Sequence, residues 1–250
     1  MACLLFSPVS AEKAYASTEN ATKVPVLVYH SVGSSNKGKL QISKSNFAKQ
    51  ANWIKKCGYK TLTMEEFVGW YEGTITIPEK SILITFDDGC QNVVNNAVPI
   101  LKKNKQHATM FIAGSWVGHS GFVKKSTIRK LQKSSVIDIE SHGYALHTKV
   151  KNKKPAHKWS KEKLKADCDK MHDLYDCTVL CYPWGATSKN LRTALKETGV
   201  YRVAFTYARP GQYQGYKNKY AKRSDGRYTI PRITISAHDS WTSIKKWVKP

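Results

Sequence analysis

Lys80-Ser81-Ile82-Leu83-Ile84-Thr85-Phe86-Asp87-Asp88-Gly89 decides how the rest of the chain is read. An apolar, β-branched run ends in two adjacent carboxylates and a glycine, the pattern of a buried strand that delivers paired acids to its own C-terminal mouth. α/β folds keep their chemistry at that end of a strand. Alternation along a strand would send Asp87 and Asp88 in different directions from one spot, so that one can ligate a metal while its neighbour stays free as a base. A strand closed by an ordinary Asp-Gly turn is the plain structural alternative.

On either side of this stretch, strands alternate with helices. Val24 to Tyr29 reads as the first strand and ends on His30-Ser31; Phe47, Ala51 and Ile54 give a helix that stops at Gly58. Thr63-Met64-Glu65-Glu66 is a capping box opening a second helix. After the strand to Phe86 come a helix around Val93 to Leu101, a strand Ala108 to Ile112, a helix near Ile128 and Leu131, and a strand Val136 to Ile139. Helix Ser160 to Tyr175 leads to strand Thr178 to Tyr182, helix Asn190 to Thr198 to strand Tyr201 to Thr206, and a last strand Tyr228 to Ile235 precedes a helix near Ile244 to Val248. Such alternation implies parallel β/α units, and a distorted or incomplete (β/α) barrel is the expected architecture. The domain is expected to span residues 24–250, behind a flexible, signal-like segment at 1–23.

The chain has 250 residues, with 41 Lys and Arg against 18 Asp and Glu, a formal charge of +23. That balance attracts anionic surroundings, such as a cell-wall polymer, an acidic lipid surface or nucleic acid. The basic concentration from Lys149 to Lys165 has no nucleic-acid motif beside it and reads as a solvated or wall-facing loop. The apolar start, with Ala14-Tyr15-Ala16 shortly after, resembles the tail of a secretory signal without its basic leader. Later apolar runs fall short of the ~18 residues of a membrane span, so a secreted or wall-associated protein, monomeric in the economical reading of one domain, is expected. Six cysteines, at 3, 57, 90, 168, 177 and 181, show no zinc-finger spacing. They read as buried thiols, with Cys168 and either Cys177 or Cys181 open to a disulfide if the protein is exported.

The strand ending at Ile139 runs into Glu140-Ser141-His142-Gly143-Tyr144-Ala145-Leu146-His147. Two histidines five apart would stand about 140° from each other on a helix, so they converge only through a turn, which Gly143 permits. Two imidazoles and one carboxylate suit zinc or another borderline divalent ion, with positions left for water and substrate.

These residues carry a family resemblance. Thr85-Phe86-Asp87-Asp88-Gly89 matches the first motif of the polysaccharide deacetylases of the NodB-homology type, carbohydrate esterase family 4. His142 and His147 resemble the second motif, which is more often His-x-x-x-His. The longer spacing, and the opening Pro25-Val26-Leu27-Val28-Tyr29-His30-Ser31, are similar to the branch acting on poly-N-acetylglucosamine. Cys181-Tyr182-Pro183-Trp184-Gly185 resembles the third motif, with Cys181 where many relatives have an arginine, and Ile235-Ser236-Ala237-His238 loosely resembles the last.

The resemblance implies a barrel of the NodB type, with Asp87 as general base, and with Asp88, His142 and His147 as ligands of one divalent metal, most often zinc, with cobalt or nickel as alternatives. It further implies that Tyr182, Pro183 and Trp184 form the oxyanion and sugar-binding turn, Trp184 through its backbone N–H and its ring, and that His238 protonates the leaving amine. Arg232 on the last strand competes for the supporting role of the missing arginine, and His30 lines the same mouth. The implied reaction is hydrolysis of the acetamide of N-acetylglucosamine residues in a surface or cell-wall polysaccharide, with release of acetate. Peptidoglycan, chitin oligomers and acetylated xylan are competing substrates, a non-catalytic carbohydrate-binding relative is the alternative from another class, and nucleic acid is not expected as a partner.

Overall fold

The computed structural model describes residues 20–149, 151–206 and 220–248. The signal-like stretch up to residue 19, with Cys3, lies outside the described residues. Packing begins a little ahead of the expected boundary: Ala21 donates its N–H to Ile77 O (3.0 Å), and its carbonyl accepts from Trp70 Nε1 (2.8 Å).

The elements in chain order are β1 Val24–Tyr29, β2 Ser31–Gly33, β3 Gln41–Ser43, α1 Lys44–Lys56, β4 Lys60–Thr61, α2 Met64–Glu72, β5 Ser81–Phe86 and α3 Gln91–Asn104. There follow β6 Ala108–Ile112, α4 Lys125–Gln132, β7 Ile137–Ser141, α5 Lys161–Tyr175, β8 Val179–Cys181, α6 Lys189–Thr198, β9 Val203–Phe205, β10 Tyr220–Ala221, β11 Ile233–Thr234 and α7 Trp241–Trp247. The strands β1, β5, β6, β7, β8 and β9 lie side by side in that order, all parallel, with β11 parallel on the free edge of β1. The curled sheet is thus the expected barrel in distorted form.

Its strands were legible because a parallel strand covered on both faces must be apolar throughout. All six residues of β1 and of β5 are buried. Inside the barrel Leu83, Phe111, Val179, Val203 and Phe205 meet Phe67 and Trp70 of α2, with Phe67 and Phe205 rings 5.2 Å apart. α2 starts at the expected capping box, with Thr63 Oγ1 accepting from Glu66 N–H and Glu66 Oε2 from Thr63 N–H, both at 3.0 Å. Because β4 pairs with Ser81 and Ile82 at the start of β5, this helix plugs the end of the barrel opposite the Asp87-Asp88 turn.

The seam differs from expectation. In place of one strand from Tyr228 to Ile235, Ile230 pairs with Phe205 of β9, and only Ile233 and Thr234 pair with Leu27 and Val28 of β1. Pro231 has no N–H to continue the first ladder, so the chain crosses there from one edge to the other and spans the gap. β10 adds an antiparallel pairing at Val24 and Pro25 that the sequence did not suggest. Cys57, Cys90, Cys168, Cys177 and Cys181 are all free thiols, so the disulfide considered for Cys168 is not formed. Among the described residues no helix is long and apolar enough to cross a membrane.

Between β7 and β8 the ladder is reduced to the pair Ser141 and Leu180, and the Glu140 side chain fills the opening. Its Oε2 accepts the N–H groups of Thr178 (3.0 Å) and Val179 (2.9 Å). Burial pushes this carboxyl up to about 8, against the pull of those two donors. The folded chain therefore holds the proton more tightly than the unfolded chain. Stability from this group is full below the ordinary glutamate range and is lost as pH rises toward 8, at up to about 1.4 kcal/mol per pH unit. Glu140→Gln keeps the acceptor and removes the charge. Urea midpoints measured between about pH 5 and 9 should decline less for this variant than for the native chain, and equal slopes would show that another group controls the decline.

Candidate active site

β5 ends at Phe86, and the two acids sit in the turn beyond it. Asp87 donates its N–H to Tyr29 O at 2.9 Å, whereas Asp88 and Gly89 both have left-handed backbones, at φ +74° and +76°. The two carboxylates therefore diverge through a strained turn and not through strand alternation. Asp is among the few residues that tolerate this conformation. Gly89 is further constrained, since a Cβ there would lie 3.1 Å from Ile112 Cγ2.

The histidine turn follows β7. His142 donates its N–H to Ile112 O (2.9 Å), and Gly143 turns at φ +78°, where a Cβ would overlap Leu146 at 2.6 Å. Asp167 of α5 fixes the next two residues by accepting from Tyr144 N–H (2.8 Å) and Ala145 N–H (2.7 Å). The sequence reading missed Asp167. Its signal was an acid on the buried stripe Leu164, Cys168 and Met171 of α5, where an unpaired charge would not be tolerated. Burial raises its carboxyl to about 6 even with both donors in place.

As expected, Asp88, His142 and His147 converge. Both imidazole Nε2 atoms face Asp88 Oδ1, at 3.5 Å from His142 and 3.4 Å from His147. His142 Nδ1 lies 2.8 Å from the Cys181 carbonyl, which can only accept, so Nδ1 carries the proton and Nε2 presents a lone pair to Asp88. Burial holds His142 down at about 4, in its neutral form. Asp88 Oδ1 is itself buried with no hydrogen-bond partner. Lone pairs aimed at one another across about 3.5 Å leave a buried oxygen unsatisfied unless a cation stands between them. The three donors lie within 4.8 Å of one another, so the set fits a divalent ion with open positions. A second grouping of Asp87, His142 and Cys181 is equally compact. It does not suit a cation, because a guanidinium already occupies it and burial drives the Cys181 thiol far above its ordinary range.

That guanidinium is Arg232. Fully buried, it donates from Nη1 and Nη2 to the two Asp87 oxygens, both at 2.8 Å, from Nη2 to Cys181 Sγ (2.6 Å), from Nη1 to Thr85 Oγ1 (3.1 Å) and from Nε to Thr206 O (3.2 Å). By its resemblance the third motif would carry an arginine where Cys181 stands, and Arg232, just ahead of β11, brings a guanidinium to the same place. Burial alone would raise Asp87; the charge and hydrogen bonds of Arg232 outweigh it, with help from His142 and His30, and hold the carboxyl below the usual range.

A cleft over these groups is lined by His30, Leu40, Asp87, Asp88, His142, His147, Tyr182 and Trp184. Trp184 has a left-handed backbone, at φ +54°. In its turn the N–H groups of Tyr182, Gly185 and Ala186 are taken by Phe205 O, Tyr182 O and Pro183 O, whereas that of Trp184 has no acceptor among the described residues. Pro183 starts the turn, and the buried Tyr182 hydroxyl donates to Tyr228 O at 3.0 Å. The structure does not bring His238 to this cleft. It is exposed, in a loop held to α1 by Asn46 and Gln50, whose side-chain amides donate to Asp239 O. His30 lines the cleft as expected, with a buried Nδ1 that no described group satisfies.

A curled parallel sheet that gathers two aspartates and three histidines at one mouth defines a barrel hydrolase. Residues 74–203 match the polysaccharide deacetylase family, and the chain belongs to it. The protein YxkH of Bacillus subtilis is 30% identical over 239 residues, covering 94% of this chain and 80% of that one. The poly-beta-1,6-N-acetyl-D-glucosamine N-deacetylase of Staphylococcus aureus is 29% identical over 218 residues, covering 82% and 71%. The deacetylase PplD of Streptococcus pyogenes, solved in complex with acetate, superposes with a TM-score of 0.75 at 19% identity, over 92% of this chain and 100% of that one, a likeness of fold.

Arg232→Met leaves Asp87 buried without its counter-charge. The loss expected near neutral pH is about 3–5 kcal/mol. Because the paired Asp87 is depressed, its contribution exists above the ordinary aspartate range and is lost as pH falls through its folded value. The gap between variant and native chain in urea unfolding should therefore narrow toward about pH 3, and a constant gap would show that packing alone was lost.

Proposed function

We propose that the protein hydrolyses the acetamide of N-acetylglucosamine residues in a β-1,6-linked polysaccharide, releasing acetate, with one divalent ion held by Asp88, His142 and His147. The observation that carries this reading is the buried, unsatisfied Asp88 Oδ1 facing the Nε2 atoms of two imidazoles beside an ionised Asp87. When bound, such an ion supplies Lewis acidity to the acetyl carbonyl and to the attacking water. Asp87, kept as a carboxylate by Arg232, accepts the proton of that water. The free N–H of Trp184 donates to the oxygen on which negative charge develops. In this reading His30 protonates the leaving amine, supported over His238 by its position in the cleft and by the exposure of His238.

The β-1,6-linked substrate is supported by the named activity of the Staphylococcus aureus relative. Zinc is the favoured ion, since nitrogen and carboxylate donors suit it, and cobalt or nickel are the alternatives to test. The charge of +23 supports action at an anionic cell wall.

Acetate release is to be measured with β-1,6- and β-1,4-linked N-acetylglucosamine oligomers, after stripping and reloading with zinc, cobalt or nickel. Release should require metal and favour the β-1,6 linkage, and Asp87→Asn and His30→Ala should each lose about 10²–10⁴-fold in kcat. His238→Ala should stay near the native rate. Tight metal binding without release from either oligomer would favour a carbohydrate-binding protein, and a large loss in His238→Ala would return the acid role to His238.

A further inference from the structure

The two histidines of the centre are held by different means. His142 has the usual arrangement for a metal ligand, its second ring nitrogen donating to a backbone carbonyl. His147 turns its Nε2 toward Asp88 Oδ1 (3.4 Å), and among the described residues none accepts a hydrogen bond from its other ring nitrogen, Nδ1. Its imidazole lies instead between two indoles, with ring centroids 4.3 Å from Trp116 and 4.2 Å from Trp184. Trp116 is backed in turn by Phe122, at 4.8 Å. Trp184 belongs to the substrate-facing turn, whereas Trp116 lies in none of the motifs.

The loop that carries Trp116 is tied to both ligand-bearing turns. Gly114 and Ser115 donate N–H groups to Gly143 O (3.0 Å) and Tyr144 O (2.8 Å) of the histidine turn. At its other end Val123 donates to Gly89 O (3.0 Å), and Gly121 O accepts from Gln91 N–H (2.9 Å), both beside the Asp87-Asp88 turn. Contact with the histidine turn is so close that a Cβ on Gly114 would lie 2.6 Å from Tyr144 Cδ2 and from Met171 Sδ. The loop is a strut between the two turns, and Trp116 is its contact with an imidazole whose Nδ1 is oriented by no hydrogen bond among the described residues.

We propose that Trp116 is a positioning residue for the metal centre, fixing the orientation of His147 by ring packing where His142 is fixed by a hydrogen bond. This rests on the metal reading given above. Losing the partner that orients a metal-ligating histidine weakens metal binding by about 10–100-fold, and one aromatic contact corresponds to roughly 2–13-fold.

The test is the dissociation constant for cobalt and for zinc, measured on the stripped full chain by competition with a chromophoric chelator. Trp116→Leu should bind about tenfold more weakly, Trp116→Phe within about threefold of native, and Phe122→Leu, which removes only the backing of Trp116, about two- to fivefold more weakly. In a His147→Ala background, Trp116→Leu should cost less than about twofold, because its partner is already gone. Native affinity in both Trp116→Leu and Phe122→Leu would overturn the proposal, as would an undiminished loss in the His147→Ala background. If Trp116→Leu does not fold, the Phe122→Leu measurement decides alone. Failure of the native chain to bind either ion would overturn the metal reading and this proposal together; native binding unmoved by the variants would overturn this proposal only.

Discussion

Arg232 reaches into the barrel from its last strand segment and takes both oxygens of Asp87. Two charges withdrawn from water cost several kcal/mol each, and the pair holds only if its other donors and acceptors are satisfied. Here they are: Thr85, Thr206 and Cys181 receive the remaining guanidinium contacts, and the rings of Phe111 and Phe205 lie 5.5 and 6.0 Å from its carbon. That constraint fixes the architecture around it. Arg232 sits between the two halves of the seam, with Ile230 on β9 and Ile233 on β1. The segment that closes the barrel is therefore also the one that brings the guanidinium to Asp87.

The same mouth carries part of the backbone strain among the described residues. Asp88 and Trp184 are left-handed residues with a side chain, each costing about 1–2 kcal/mol. The surroundings that hold them are well bonded. Asp87 is tied to β1 through Tyr29, His142 to β6 through Ile112, and the histidine turn to α5 through both oxygens of Asp167. Strain of this kind survives only where neighbouring contacts determine the geometry. Its position matches the division of labour in a barrel, in which apolar strands provide stability and the turns after them provide chemistry.

What the sequence disclosed follows the range of the forces involved. Apart from the last strand, which breaks at Pro231, the buried strands, the Thr63 capping box and the Gly143 turn depend on neighbours within a few residues, and they stand where the pattern put them. Asp87, Asp88, His142 and His147 were legible because their motifs are local. The replacement of the missing arginine was legible only as a candidate, since Arg232 and Cys181 meet across 51 positions of chain. His30 was legible at the mouth and lines it; the outward turn of His238 could not be read, because only the packing of Asp239 against α1 produces it. Trp116 and Asp167 carry no motif, because their work is to touch a turn that the sequence does not show beside them.

The two halves of the site are linked by acidity. A carboxylate held below the ordinary aspartate range is a poor proton acceptor, and a free water, with pKa near 15.7, is a poor donor. Left to itself, Arg232 would have preserved the charge of Asp87 at the expense of its basicity. The mismatch is relieved only if the water beside Asp87 is made more acidic, and the adjacent groups able to hold the required Lewis acid are Asp88, His142 and His147. On the proposed reading, the buried guanidinium and the unsatisfied Asp88 oxygen are parts of one device. The first keeps the base ionised within an apolar barrel, and the second marks where the acidity that such a weak base needs must enter.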